Sequence, residues 1–180
     1  MPARDSLIKK PLSQRGQLIL DAAKELFLIH GFDGTSLEMI IEKSGGSRRS
    51  IYAEFGNKQG LLFSVIEEQV SQQAGTLKQI DLKKSPKENF EEACFQFIKG
   101  LTSPTLIGLL KIALNMVDKE PKIGEIIYEN GPLSGTKPLE KYLAFLSDKG
   151  ELQVDDTEFA AQALVEMCKG KLHIKAMLLP

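Results

Sequence analysis

Residues 44–58, SGGSRRSIYAEFGNK, gather the side chains best suited to chemistry in this chain. Arg48 and Arg49 carry guanidinium groups that bond bidentately to guanine O6 and N7. The hydroxyls of Ser47, Ser50 and Tyr52, like the free N–H groups at a helix start, suit phosphate oxygens. Spacing decides where these groups point. Ile51 and Phe55 are four apart and share one helix face. Arg49 and Ala53 then lie nearly opposite Ile51, with Arg48 and Tyr52 on the shoulder of that outer face. Ala53 is small and permits close approach. Such a surface suits the major groove of DNA. Two arginines on an exposed helix are nevertheless most often plain solvated charge.

The elements around this stretch must hold it. A first helix is expected from Ser13 to His30, with Leu18, Ile19, Ala22, Ala23, Leu26 and Phe27 at three- and four-residue spacings and Gly31 as terminator. A second starts at Thr35, where Thr35 and Glu38 form a capping-box pattern with Ser36 between them, and ends at Gly45-Gly46. Ser47 caps a short third helix through Phe55. Asn57 caps a fourth that begins at Lys58 and carries Leu61, Leu62, Val65, Ile66 and Val70. Residues 35–55 thus have a helix-turn-helix outline, by itself a weak signal. Thr35 and Lys58, at the starts of their helices, are placed to meet flanking phosphates.

Beyond Gly75 the helical pattern restarts. Ser85-Pro86-Lys87-Glu88 and Ser103-Pro104 open two helices, Pro121 to Asn130 is short and is broken by Gly131-Pro132, and residues 138–149 form another. Asp155 and Glu158 box the start of a last helix through Met177. The fold expected is all-α, with four helices before residue 75 and five after. The domains expected are a flexible basic arm (1–12), a helix-turn-helix domain (13–58, to about 73 with the fourth helix) and a C-terminal domain (74–180).

Bulk properties fit one soluble protein of ordinary composition, with 42% hydrophobic and 26% charged residues in 180. Net charge is −1 but uneven: residues 1–60 hold nine Lys/Arg against seven Asp/Glu. MPARDSLIKK has no apolar stretch behind its charges, so no signal peptide is expected, and no apolar run reaches the ~20 residues that span a bilayer. A reducing, cytoplasmic setting is expected from the two cysteines, Cys94 and Cys168. Cys94 and Cys168 match no metal or redox spacing and read as buried free thiols. His30 and His173 make no catalytic pair, Glu91-Glu92 and Asp155-Asp156 read as solvated faces and caps, and there is no nucleophile elbow, metal spacing or phosphate loop. Neither an enzyme, a cofactor nor a metal is expected.

GFDGTSLEMIIEKSGGSRRSIYAEFGNKQGLL resembles the DNA-binding region of TetR-family transcriptional regulators. The pattern matches at Gly31-Phe32, Thr35-Ser36, Ile40, Ser47, Ile51-Tyr52, Phe55, Lys58 and Leu61-Leu62, across roughly residues 14–66. It departs at Gly46, where valine is frequent, and at Arg49, where a small residue is usual. The resemblance implies base readout by Arg48 and Arg49 and phosphate contacts from Thr35, Ser36, Ser47, Ser50, Tyr52 and Lys58. It also implies a C-terminal lobe for ligand binding and dimerisation. KEPKIGEIIYENGP and KGELQVDDTEFAAQALVEMCKG are similar to the AefR-like type of that lobe.

In that lobe Phe90, Phe97, Leu110, Met116, Phe159 and Met167 could line a cavity for an apolar effector, with Asn115 and Tyr128 as polar contacts. Taken singly, each apolar one is as readily core. The resemblance implies dimerisation through the last two helices, residues 157–177 with help from 138–149; the apolar tail Ala176 to Leu179 would be awkward if wholly exposed. The function implied is a repressor that binds a pseudo-palindromic operator as a homodimer and is released by a small apolar or amphipathic effector. The alternative is a helical adaptor that binds protein through the Arg48-Arg49 face.

Overall fold

The computed structural model describes residues 12–75, 81 and 83–179. The described residues are helical with no strand. Residues 1–11, most of the expected basic arm, lie outside them. The chain divides into two compact units, residues 1–64 and 65–180. The division falls inside the fourth helix.

The first unit holds α1 (Gln14–His30), α2 (Leu37–Ser44), α3 (Arg48–Phe55) and the first turns of α4 (Lys58–Gly75). Ser13 caps α1 by accepting the Gly16 N–H, and Gly31 closes it with φ 70, a left-handed value that costs glycine little. Ile19, Ala23, Phe27, Ile40, Ile51 and Leu61 are fully enclosed and form the core. Leu18, expected among them, is exposed, because it sits at the edge of the α1 stripe.

Two adjacent hydroxyls exchange the roles expected of them. Ser36, not Thr35, is the N-cap of α2, accepting the Met39 N–H at 3.1 Å. Thr35 turns inward, is 1% exposed, and donates to the carbonyls of Gly31 (2.7 Å) and Leu26 (3.1 Å). Its hydroxyl thereby satisfies main-chain acceptors near the end of α1 that would otherwise be buried without a partner.

The second unit holds the rest of α4, then α5 (Pro86–Leu101), α6 (Pro104–Met116), α7 (Pro121–Tyr128), α8 (Lys137–Asp148) and α9 (Thr157–Leu178). Ser85 and Glu88 form the expected capping box on α5, and Ser103 caps α6. Three details differ from expectation. Gly131-Pro132 does not break the chain but lies inside a π-helical turn, Glu129–Leu133, whose wider spacing tolerates the missing proline N–H. Asp156 rather than Asp155 caps α9, accepting the Phe159 N–H at 2.8 Å. Leu114 faces solvent although it shares the apolar period of α6.

One part of the interior of this unit lies between α5, α8 and α9, while Leu109, Ala113 and Ile123 are enclosed on α6 and α7. Leu139, Leu143 and Ala161 pack with Phe90 and Leu164, and the Phe90 ring meets Tyr142 at 5.6 Å between centroids. Asn89, buried, donates to the Tyr142 hydroxyl (3.1 Å) and to the Asp81 carbonyl (2.9 Å), and accepts the Asp81 N–H. Helix α9 bends at Gly170, whose φ of 43 and ψ of −136 are not helical.

Candidate nucleic-acid interface

Helix α3 is eight residues long and buries only Ile51 and Phe55. A helix so short is marginal alone and is held by its neighbours. Ser47 caps its start by accepting the Ser50 N–H at 3.1 Å, and the two serine hydroxyls lie 2.9 Å apart. Gly45, with φ 66, turns the chain between α2 and α3 in the left-handed conformation. Gly46 differs. A Cβ there would stand 3.2 Å from the Ile19 side chain and 3.1 Å from Ser44 Oγ, so those side chains would have to give by a few tenths of an ångström.

Two side chains fasten the α2–α3 segment to the start of α1, and the sequence pattern had not marked either. Arg15 Nη1 donates to the carbonyls of Gly45 (2.7 Å) and Ser44 (3.3 Å), closing the C-terminal end of α2. Glu54 accepts from the Ser13 N–H and hydroxyl. Both partners are tertiary, so no local spacing announces them.

The outward face of α3 is as the wheel predicts. Arg48, Arg49, Tyr52 and Ala53 are exposed, Tyr52 by 54%. Arg49 has no hydrogen bond or ion pair to another described residue. Arg48 is engaged: its guanidinium donates to the Glu38 carboxylate on α2, and both side chains stay open to solvent. Glu38 is held below its ordinary carboxylate range, first by its own main-chain N–H and then by Arg48. The pair aims one guanidinium across the α2–α3 groove and leaves the other free.

Lys58 sits differently from expectation. Its ammonium donates to the carbonyls of Phe32 and Thr35, both at 2.9 Å, and lies 4.3 Å from the centroid of the Phe32 ring. Two of its three donors are therefore spent fastening the α1–α2 turn to α4. Thr35, enclosed as described, reaches no surface with its side chain. The geometry thus brings together Ser36, Ser47, Arg48, Arg49, Ser50 and Tyr52 along α2 and α3, while Thr35 and Lys58 act as fasteners behind them.

Comparison with known proteins decides what kind of helix-turn-helix this is. Residues 19–65 match the model of the bacterial regulatory proteins of the tetR family, and residues 88–180 match that of the AefR-like transcriptional repressor C-terminal domain. The chain belongs to the TetR family. It is a helix-turn-helix transcription regulator, not an enzyme. An uncharacterized HTH-type transcriptional regulator of Bacillus subtilis, YezE, is 25% identical over 154 residues, 81% of this chain and 77% of its own length. A putative TetR-family regulator from Mesorhizobium loti shares the fold at a TM-score of 0.77 and 23% identity, covering 92% of this chain and 86% of its own. The flavonoid-responsive regulator FrrA does so at 0.73 and 24%, covering 91% and 84%.

In TetR-family terms the second unit is where an effector pocket was expected, and there the sequence reading needs correction. Phe97 is buried, and Phe90, Leu110 and Met116 are half-buried. Asn115, Tyr128, Phe159 and Met167 are on the surface, the last two by 68% and 69%. These four do not line an enclosed space. Helical period identifies apolar positions, but it does not say whether an apolar stripe meets its own fold or something else.

Proposed function

We propose that this chain is a repressor that binds a pseudo-palindromic operator as a homodimer and releases it when a small apolar or amphipathic effector binds the second unit. The observation that carries the DNA reading is the outer face of α3. A minimal buried side, Ile51 and Phe55, leaves Arg49 free, Arg48 held by a single carboxylate, and Tyr52 and the Ser47 cap open to solvent. Arg48 and Arg49 read base edges. Ser36, Ser47, Ser50 and Tyr52 fix the register on phosphates, joined by the main-chain N–H groups at the start of α3 and by the remaining donor of Lys58. In the dimer two copies of α3 lie one DNA turn apart, ~34–36 Å.

The dimer reading rests on α9. Phe159, Met167, Ile174 and Leu178 are exposed along one helix, a surface that a second copy would cover. The exposed positions expected to line a pocket, Phe159 and Met167, belong to this surface instead. For the effector, Phe90, Phe97, Leu110 and Met116 are the inner apolar side chains nearest to what a ligand would need. The flavonoid response named for FrrA, a regulator of the same fold, supports an apolar or amphipathic class. An effector acts only as far as its affinity differs between the operator-bound and released geometries.

Selection of duplexes from a random library by the purified protein tests this reading. Enrichment of two inverted half-sites one turn apart is the expected outcome. Their affinity should fall with salt at a slope of about −0.9 per phosphate neutralised. Recovery of no sequence above background would overturn it.

A further inference from the structure

The two cysteines lie 74 residues apart in sequence, on α5 and α9, and meet in the fold. Cys168 Sγ donates to Cys94 Sγ at 3.0 Å, and both side chains are half-buried rather than enclosed. They sit beside a small apolar cluster, Ala93 and Phe97 with Ile98, Leu101 and Val165, that ties α9 to α5. A lone thiol in such surroundings is inert. A pair in contact is different, because the second sulfur is already at the place where a resolving thiol must stand. A disulfide needs a sulfur–sulfur separation near ~2.05 Å, so closure asks the two helices for about 1 Å. Helix α9 bends at Gly170, two residues past Cys168, which gives this segment room to adjust.

We propose that Cys94 and Cys168 form a redox-active dithiol that peroxides close to an intrachain disulfide joining α5 to α9. Cys94, as the acceptor of the S–H bond, reacts first. Its thiolate attacks one peroxide oxygen, the O–O bond breaks, and the other oxygen leaves as an alcohol or, from hydrogen peroxide, as water. Cys94 is now a sulfenic acid, oxidised by two electrons. The Cys168 sulfur then attacks the Cys94 sulfur, the S–O bond breaks, and water leaves with the Cys168 proton. The sum is a dithiol and one peroxide giving a disulfide, an alcohol (or water) and water. Burial, and then its bond to Cys94, push the Cys168 thiol up to about 12, so it stays protonated while Cys94 reacts and must give up its proton as it attacks the sulfenic acid.

The test uses the full reduced chain without DNA, so it is independent of the operator reading. Excess hydrogen peroxide should remove both titratable thiols and lower the mass by two hydrogens. Peptide mapping should give one Cys94–Cys168 cross-link within a single chain, reversed by dithiothreitol. Cys168→Ser should stop at a sulfenic acid on Cys94 that dimedone traps, and Cys94→Ser should trap nothing. The wild-type result stands even if either variant folds poorly. Oxygen added to separate cysteines, cross-links only between chains, or thiols that survive while a free small thiol is consumed would each overturn the proposal.

Discussion

Helices α3 and α9 both offer an unpartnered face to solvent, and the chemistry of the two faces is opposite. Helix α3 is eight residues long, buries Ile51 and Phe55, and presents guanidinium and hydroxyl groups. Helix α9 is 22 residues long, buries Ala161 fully, and presents Phe159, Met167, Ile174 and Leu178. Water solvates the first face well and the second badly. A polar face can therefore stay open until a polyanion arrives, releasing counterions as it binds. An apolar face of that length gains most by staying covered. The comparison teaches that exposure alone assigns no role; the kind of group exposed does.

Substitutions can break or sharpen this contrast. The largest effect is expected behind the α3 face. Ile51→Ala removes a fully buried side chain from a helix with only two, and should cost about 2–5 kcal/mol of stability, read as a lower denaturation midpoint. On the α9 face, Met167→Glu should shift the chain toward monomer by at least about tenfold in dissociation constant while leaving the monomer's helicity intact. Sedimentation equilibrium reads the first and circular dichroism the second. A monomer that unfolds instead would make the α9 face part of its own core.

Smaller effects follow on α3. Ser47→Ala removes the N-cap and should cost about 1 kcal/mol, measured by thermal melting. Tyr52→Phe removes one hydroxyl and should weaken binding to all duplexes alike by no more than about tenfold. A change of operator preference without overall weakening would assign Tyr52 to base readout. The smallest effect concerns Glu38. Its folded carboxyl titrates below the ordinary 4.5, so its contribution is present above that value and is lost as pH falls through the folded one. Arg48→Ala should move the Glu38 titration upward in an NMR pH series. An unmoved midpoint would mean that the ion pair does not form in solution.

The sequence made some of this legible and concealed the rest for identifiable reasons. The caps at Ser47, Asn57, Ser85 and Ser103 were readable because capping is local: side chain and N–H lie three residues apart. The buried side of α3 was readable because Ile51 and Phe55 are its large apolar residues apart from Tyr52. Thr35 and Ser36 were not separable, since either hydroxyl can cap and only the fold decides which one turns inward. Lys58, Arg15 and Glu54 bind main-chain or side-chain groups 23 to 41 residues away, beyond any local pattern. The cysteine pair was hidden in the same way, as no short spacing marks a contact between α5 and α9. Phe159 and Met167 have the composition of pocket residues, and only their exposure moves them to a surface.

The central claim is that the outer face of α3 reads DNA. Its most direct test is the affinity of Arg49→Ala for a selected operator, set against its melting temperature. Arg49 has no other partner among the described residues, so the account predicts unchanged melting and a loss of about 1–3 kcal/mol in operator affinity, with relaxed preference at the base it contacts. Unchanged affinity with unchanged melting would contradict it.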